Sequence, residues 1–320
     1  MAIPCLNEEQ NIGHLVRYLL GDFRSCTSRI VIADGGSRDR TPEIARELAA
    51  KHENVFYLHN PKRVQSAAVN LAVSAHGEGA EFLIRLDAHA DYPEGYCQAL
   101  VEEALEMRAA SVVVTMRTMG KGGFQRAVAA AQNSRLGNGG SAHRMEATSG
   151  RWVDHGHHAL IRRDAFQAVG GYDERASPNE DAELDIRLGK AGYAIWLTAK
   201  TTLIYYPRSS PASLLRQYLN YGRSRAGTLL KHRVRPKLRQ MAPTFVLPAM
   251  LLALATPFFY PAVIPIMLWM AICLGYGVTL GAKERSAMVM LSGPAAMIMH
   301  LGWSMGFWRG MLSGRRSDSP

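Results

Sequence analysis

IVIADGGSRDRT, residues 30–41, sets a short apolar run rich in β-branched residues against an aspartate, two glycines and a helix-starting segment. The run ends at Asp34, Gly35 and Gly36 let the backbone turn closely, and Pro42 follows Thr41 in what the spacing predicts to be a first helical turn. Two readings fit. An acidic strand tip followed by free backbone N–H groups can hold a ribose and an anion. The same residues also make a plain turn with a helix cap.

Working outward, the pattern repeats. Strands are predicted over 29–33, 55–58, 82–86 and 111–115, with helices over 41–52 and 65–76 between them. This βαβ rhythm implies an α/β fold with a largely parallel sheet, whose ligands bind beyond the carboxyl ends of the strands. Beyond Gly120 the chain reads as a Gly-rich, mobile loop over 137–149, one strand over 152–161, a helix over 178–190 and a strand over 194–198.

Two further stretches carry chemistry. In EFLIRLDAHADYP, residues 81–93, an apolar strand ends in Asp87, His89 and Asp91 at alternate positions, which an extended chain would project to one side. Asp-x-His supplies a carboxylate and an imidazole, enough for a divalent ion whose remaining ligands are phosphate oxygens and water; the imidazole suits Mn2+ better than Mg2+. In SPNEDAELDIRLGKAGY, residues 177–193, Ser177 or Asn179 can cap a helix whose first turn carries Glu180, Asp181 and Glu183. Helix capping explains those acids completely, and a general base beside a metal-diphosphate site explains them too. The histidines of VDHGHHALIRR do not make a zinc site. Alternation puts His155 and His157 on one face and His158 on the other, with no fourth ligand nearby.

The C-terminal third has a different composition. Of the formal net charge of +10, much lies between Arg208 and Arg239, where no acid occurs. Met241–Ala282 then contains no charged residue, and roughly 40 residues at about 1.5 Å each would run about 60 Å, twice a hydrocarbon core of about 30 Å. A hairpin of two membrane helices over 242–282 is predicted, turning near Pro257, Pro261 and Pro265 and keeping Lys283 and Arg285 beside the first basic cluster. A third apolar segment over 286–308 is re-entrant or interfacial, because a full crossing would export the basic tail 309–320. A basic run beside membrane segments excludes a nucleic-acid interface. Cys5, Cys26, Cys97 and Cys273 are scattered without ligand spacing, as in a reducing compartment. Polar CLNEEQN begins almost at once, so no cleavable signal is read, and MAIP makes an unusually short first strand.

Taken together, IPCLNEEQNIG, IVIADGGSRDRT, RLDAHADYP, VGGYDE and NEDAELDIRLGKAGY resemble the family 2 glycosyltransferases in order and spacing. QSAAVNLAV, DAHADYP and RQYLNYGR look most like the bacterial exopolysaccharide glucosyltransferases within that family. The resemblance implies a GT-A fold, a Rossmann-like mixed sheet, over 1–230, followed by a basic linker 231–241 and the transmembrane region 242–308. It implies a UDP-sugar donor, a divalent cation (Mn2+ or Mg2+) and inversion at the anomeric carbon. Pro4, Asn7, Glu8 and Asp34 would line the nucleoside pocket, Arg63 and Asn70 would stand near the diphosphate, and Asp87 with His89 would hold the metal. Asp181, paired with Glu180, would be the base. Gln217 and Arg223 stand where processive synthases carry Gln-x-x-Arg-Trp. The absent Trp argues for single-sugar addition, with Gln217 and Arg223 left as contacts for acceptor or diphosphate. The implied acceptor is a polyprenyl-diphosphate-linked saccharide at the cytoplasmic face of a bacterial inner membrane, with membrane lipid and other polysaccharide-assembly proteins as partners. Two alternatives stand beside it: transfer to a bare polyprenyl phosphate, and an inactive membrane-anchored nucleotide-sugar-binding protein.

Overall fold

The computed structural model describes the chain except residues 23–27, 142–143, 145–147, 177 and 318–320, and describes residues 315–317 by backbone alone. Cys26 and the possible Ser177 cap lie outside the described residues, as does part of the loop over 137–149. In chain order the elements are β1 (Ala2–Cys5), α1 (Ile12–Asp22), β2 (Ile30–Asp34), α2 (Thr41–Lys51), β3 (Val55–His59), α3 (Gln65–His76), β4 (Phe82–Ile84), α4 (Tyr96–Met107) and β5 (Ser111–Thr118). Then come α5 (Gly123–Gln132), α6 (Arg135–Asn138), β6 (Arg151–Val153), β7 (His157–Arg162), α7 (Arg163–Ala168), α8 (Glu180–Lys190), β8 (Ile195–Tyr205) and α9 (Pro211–His232). The chain ends with α10 (Leu238–Met241), α11 (Val246–Ala253), α12 (Ile264–Lys283), α13 (Ala287–Met290) and α14 (Ser292–Ser317).

Two compact units result, one of residues 1–116 and 146–205, the other of residues 117–145 and 206–320. Residue 230, the expected end of the transferase domain, lies within α9. In the first unit β1, β2 and β3 pair in parallel, with Ile3 opposite Ile32 and Ile32 opposite Tyr57. A five-stranded mixed sheet of order β4-β7-β5-β8-β6 continues beside it. The Ala2 carbonyl accepts from Leu86 N–H at 3.0 Å, which joins the two sheets along β1. β7 runs antiparallel to both β4 and β5. The core is the apolar set that periodicity dictates, with Ile3, Ile12, Leu19, Ile32, Leu86, Leu100 and Leu160 fully buried.

The single strand predicted over 152–161 is two strands in different places in the sheet. The chain breaks at Asp154–Gly156, where a Cβ on Gly156 would come within 2.3 Å of the Val113 side chain. Only glycine lets the backbone cross so close.

In the second unit the segment expected to form a hairpin of two spans, 242–282, holds α11 and α12. Among the described residues one helical stretch, Tyr260–Lys283, is long and apolar enough to cross a membrane, with mean hydropathy 2.0. The preceding arm, Leu238–Ala253, reaches only about 24 Å at about 1.5 Å per residue, short of a core of about 30 Å. It ends before Pro257, and Pro265 lies in the first turn of α12. α14 packs along α9 through glycines at every fourth position. A Cβ on Gly302, Gly306 or Gly310 would meet the α9 backbone at 2.7, 1.9 and 2.8 Å respectively.

Candidate active site

Three loops at the carboxyl ends of β1, β2 and β4 are tied to one another by side chains read in the sequence. Asn7, at φ 57°, takes the Arg38 N–H on its Oδ1 at 2.8 Å and gives its own N–H to Ser37 Oγ at 2.7 Å. Glu8 N–H donates to Thr41 Oγ1 at 2.7 Å. Asp34, buried at the tip of β2, accepts from the N–H groups of Gly36 and Ser37 at 3.1 and 3.2 Å and from the Ser37 hydroxyl at 2.5 Å. The turn and the acidic strand tip are therefore one structure. Pro4 sits in β1 opposite Ala33. Arg63, at φ 59°, brings its guanidinium within 3.6 Å of where a Cβ on Gly36 would lie.

Asp87 does not continue an extended chain. The Tyr92 hydroxyl accepts from Asp87 N–H at 2.6 Å and donates to Asp87 C=O at 3.1 Å, closing a turn over Asp87–Ala90. The alternation expected for Asp87, His89 and Asp91 is thereby lost. His89 turns its Nδ1 to Glu8 Oε1 at 3.0 Å, and the backbone of Asp91 bridges to Ile204.

What faces Asp87 is a ring of side chains from β4, β7 and α8. Arg85, 7% exposed, places NH2 at 3.4 Å from Asp87 Oδ1 and bonds Asp181 Oδ1 through NH1. His157 stands on the other side, with Nε2 3.6 Å from Asp87 Oδ2 and Nδ1 3.6 Å from Asp181 Oδ2. Gln65, the first residue of α3, donates to Asp87 Oδ1 at 2.7 Å. The two carboxylates expected to hold metal and to act as base are thus held together by one guanidinium and one imidazole.

A second layer fixes this ring. Gly170 and Gly171, at φ 82° and 70°, turn the chain after α7 so tightly that a Cβ on Gly171 would lie 2.7 Å from Asn70 Oδ1. Asn70 then clamps the Tyr172 backbone, accepting its N–H at 2.9 Å and donating to its C=O at 2.8 Å. Each end of the Asn70 amide thus makes one bond to the Tyr172 backbone. Tyr172 in turn sets its hydroxyl 2.7 Å from His158 Nδ1 and 3.4 Å from Asp181 Oδ1. His158 Nε2 and His155 Nδ1 share Asp185, each at 2.7 Å. His158 Nδ1 also lies 3.5 Å from Asp181 Oδ1, and His157 stands between Asp87 and Asp181.

The electrostatics follow from burial against pairing. Burial alone would push Asp181 up, yet Arg85, His158 and His157 hold it far below the usual carboxylate range. Asp87 is lowered in the same way, burial being outweighed by Arg85, then His157 and His89. Glu180 moves the opposite way, raised by burial and then by Asp181, and its Oε2 has no hydrogen-bond partner. Burial would lower His158, but Asp185 and Asp181 raise it.

Among the described residues no three His, Cys, Asp or Glu side chains could together hold a metal ion. A cation carried mainly by phosphate oxygens would need few protein ligands; Asp87 Oδ2 is left clear of Gln65 and Arg85 and faces an imidazole nitrogen. Gln217 and Arg223 lie on α9 in the second unit, where Gln217 donates to Tyr221 at 3.1 Å.

Sequence reasoning missed Arg85, His157, Tyr172 and Gln65. Arg85 did leave a signal, a charge inside an apolar strand two residues before Asp87. The family model for glycosyl transferase family 2 matches residues 1–170. The chain belongs to that family and is a glycosyltransferase. It is 55% identical over 316 residues, 99% of this chain and 96% of the other, to the succinoglycan biosynthesis protein ExoA of Rhizobium meliloti (strain 1021). A dolichyl N-acetyl-alpha-D-glucosaminyl phosphate 3-beta-D-2,3-diacetamido-2,3-dideoxy-beta-D-glucuronosyltransferase of Methanococcus voltae is 26% identical over 69% of this chain and 71% of its own length. In fold the chain is similar to the mannosyltransferase PcManGT from Pyrobaculum calidifontis, solved with GDP-Man and Mn2+. The TM-score is 0.61 at 17% identity, covering 94% of this chain and 85% of that one. The fold is GT-A.

Proposed function

We propose that the protein is an inverting, membrane-associated glycosyltransferase of exopolysaccharide assembly. It adds one sugar, glucose from UDP-glucose, to a polyprenyl-diphosphate-linked saccharide at the cytoplasmic face of the inner membrane. The observation that carries this reading is the pairing of Asp87 and Asp181 around Arg85 and His157, beyond the carboxyl end of β4. The likeness to a succinoglycan biosynthesis protein supports the pathway class, and the relative named for a dolichyl-linked saccharide supports a lipid-linked acceptor.

In this reading the tied loops carrying Asn7, Glu8 and Asp34, with Arg63 from the loop after β3, hold the nucleoside diphosphate. Asp87, with His157 or His89, would hold a divalent cation, which supplies charge stabilisation at the departing diphosphate. The acceptor hydroxyl attacks the anomeric carbon from the opposite face and its proton passes to the Asp181 carboxylate. A carboxylate held so low is a weak base, adequate once the C–O bond is well formed in an oxocarbenium-like transition state and the hydroxyl has become acidic. Arg85, His157 and His158 keep Asp181 anionic and aimed. The test is incubation of membranes with radiolabelled UDP-sugars and manganese. Label from UDP-glucose is expected in the lipid fraction when the native saccharide acceptor is present and not with bare polyprenyl phosphate. Label on the bare lipid phosphate would assign the other acceptor, and no label from any donor would leave a nucleotide-sugar-binding protein.

A further inference from the structure

We infer that Arg85 is a positioning residue that keeps the base carboxylate Asp181 from becoming a ligand of the donor's divalent cation. The inference rests on the role proposed above for Asp87 and Asp181. Both carboxylates turn their Oδ1 atoms to one guanidinium, and their Oδ2 atoms to opposite nitrogens of one imidazole. With Arg85 gone the two carboxylates would face each other across the place its guanidinium now fills, beside the Gln65 amide and the Tyr172 hydroxyl. Two carboxylates completed by water can take a hard divalent ion. An Asp181 captured in that way could not take the acceptor's proton.

Arg85 prevents this by occupying the place itself. Its side chain is 6% exposed, and its Nε is buried with no hydrogen-bond partner, so both remaining nitrogens are committed to the two carboxylates. The guanidinium is a fixed fork that spans the pair. A resident cation of this kind also removes the repulsion between two part-buried carboxylates before any donor arrives. It leaves Asp87 Oδ2, on the His157 side, as the oxygen open to a cation that comes with a diphosphate. Uptake of the ion is thereby coupled to uptake of the nucleotide.

The experiment measures free Mn2+ by electron paramagnetic resonance during titration of the full-length protein in detergent, with and without UDP. The wild type is expected to take up Mn2+ weakly alone and at least about tenfold more tightly with UDP, the increment of one added charged ligand. Arg85→Gln is expected to bind Mn2+ without UDP at least about tenfold more tightly than wild type, and Arg85→Gln/Asp181→Asn to lose that gain. Arg85→Lys keeps the charge and should hold UDP-free affinity within about threefold of wild type. In turnover, Arg85→Gln should lower kcat by about 100-fold or more with donor KM changed far less. Should the glutamine variant fail to bind UDP, Arg85→Met carries the same Mn2+ readout at similar volume. A variant that binds UDP normally yet gains no UDP-free Mn2+ affinity overturns the inference and leaves the proposed function standing. A wild type that takes up no Mn2+ even with UDP removes the metal reading itself, and the inference with it.

Discussion

Asp181 is a stronger acid in this fold than in water, because Arg85, His158 and His157 outweigh its burial. It is therefore anionic at every pH where the protein would work, and its contribution is position rather than basicity. Asp181→Asn keeps the shape and removes the proton acceptor, so transfer should fall by about 100-fold or more, in the range of lost general-base catalysis, while UDP affinity measured by calorimetry stays near wild type. Equal loss of both would take the base role away from Asp181. The neighbouring pair His158–Asp185 gives a pH signature of a different kind. His158 is raised above its unfolded value of about 6.5 and Asp185 lies below its unfolded value of about 3.9. The pair's stabilisation is therefore full between about pH 4 and pH 6.5, is lost at higher pH as His158 deprotonates, and is lost at lower pH as Asp185 protonates. Asp185→Asn should lower Tm most at pH 6 and least at pH 9, by thermal denaturation across that range; breaking such a buried pair costs about 3–5 kcal/mol. Asp87 could be singled out as a candidate because it ends an apolar run; Asp181 could be singled out only through the family resemblance, since helix capping explains it equally well. Arg85 and His157 could not be singled out, because their meaning depends on β4 and β7 lying side by side, a pairing between residues more than seventy apart.

At the scale of the element, glycine decides where chains can touch. The break at Gly156 is not legible beforehand, since one glycine does not by itself end a strand and the sequence does not show Val113 pressing on that backbone. The four-residue spacing of Gly302, Gly306, Gly310 and Gly314 is visible in the sequence, but the partner helix is not. α9 fills that groove so closely that a Cβ on Gly306 would sit 1.9 Å from the Leu219 carbonyl oxygen. Gly306→Ala must push α14 off α9, and the overpacking should destabilise by about 1–3 kcal/mol. Gly227 lies in α9 with open space around its missing Cβ. There the helix preference of alanine is the whole effect, and Gly227→Ala should stabilise by about 0.5–1 kcal/mol. Thermal denaturation of the two variants in one detergent checks both signs; equal shifts would mean that α14 does not hold α9 in solution.

Across the whole molecule, the basic run and the apolar face are neighbours in sequence: nine Lys or Arg occur between Arg208 and Arg239, immediately before the segment richest in exposed apolar side chains. Leu254, Phe258 and Tyr260 are 74%, 94% and 79% exposed, at the turn between α11 and α12. Contiguous exposed apolar surface of this kind is a site of contact with membrane or protein, and basic residues beside it favour anionic lipid by about 1 kcal/mol each. The two forces respond to different reagents. Salt at about 1 M shortens the screening length to about 3 Å and removes the charge contribution while sparing the apolar one. Truncation after Arg239 is a poor test, because it also strips α14 from α9 and bares a helix face built to be covered. A cleaner variant is Phe258→Asp with Phe259→Asp, which changes only exposed side chains. Wild type should stay in the membrane pellet after a wash at about 1 M salt. The double variant should stay in the pellet at low salt and move largely to the supernatant in that wash, with UDP-dependent Mn2+ uptake unchanged. Retention of the double variant in high salt would mean that the turn carries no membrane contact and that the Tyr260–Lys283 stretch alone anchors the chain.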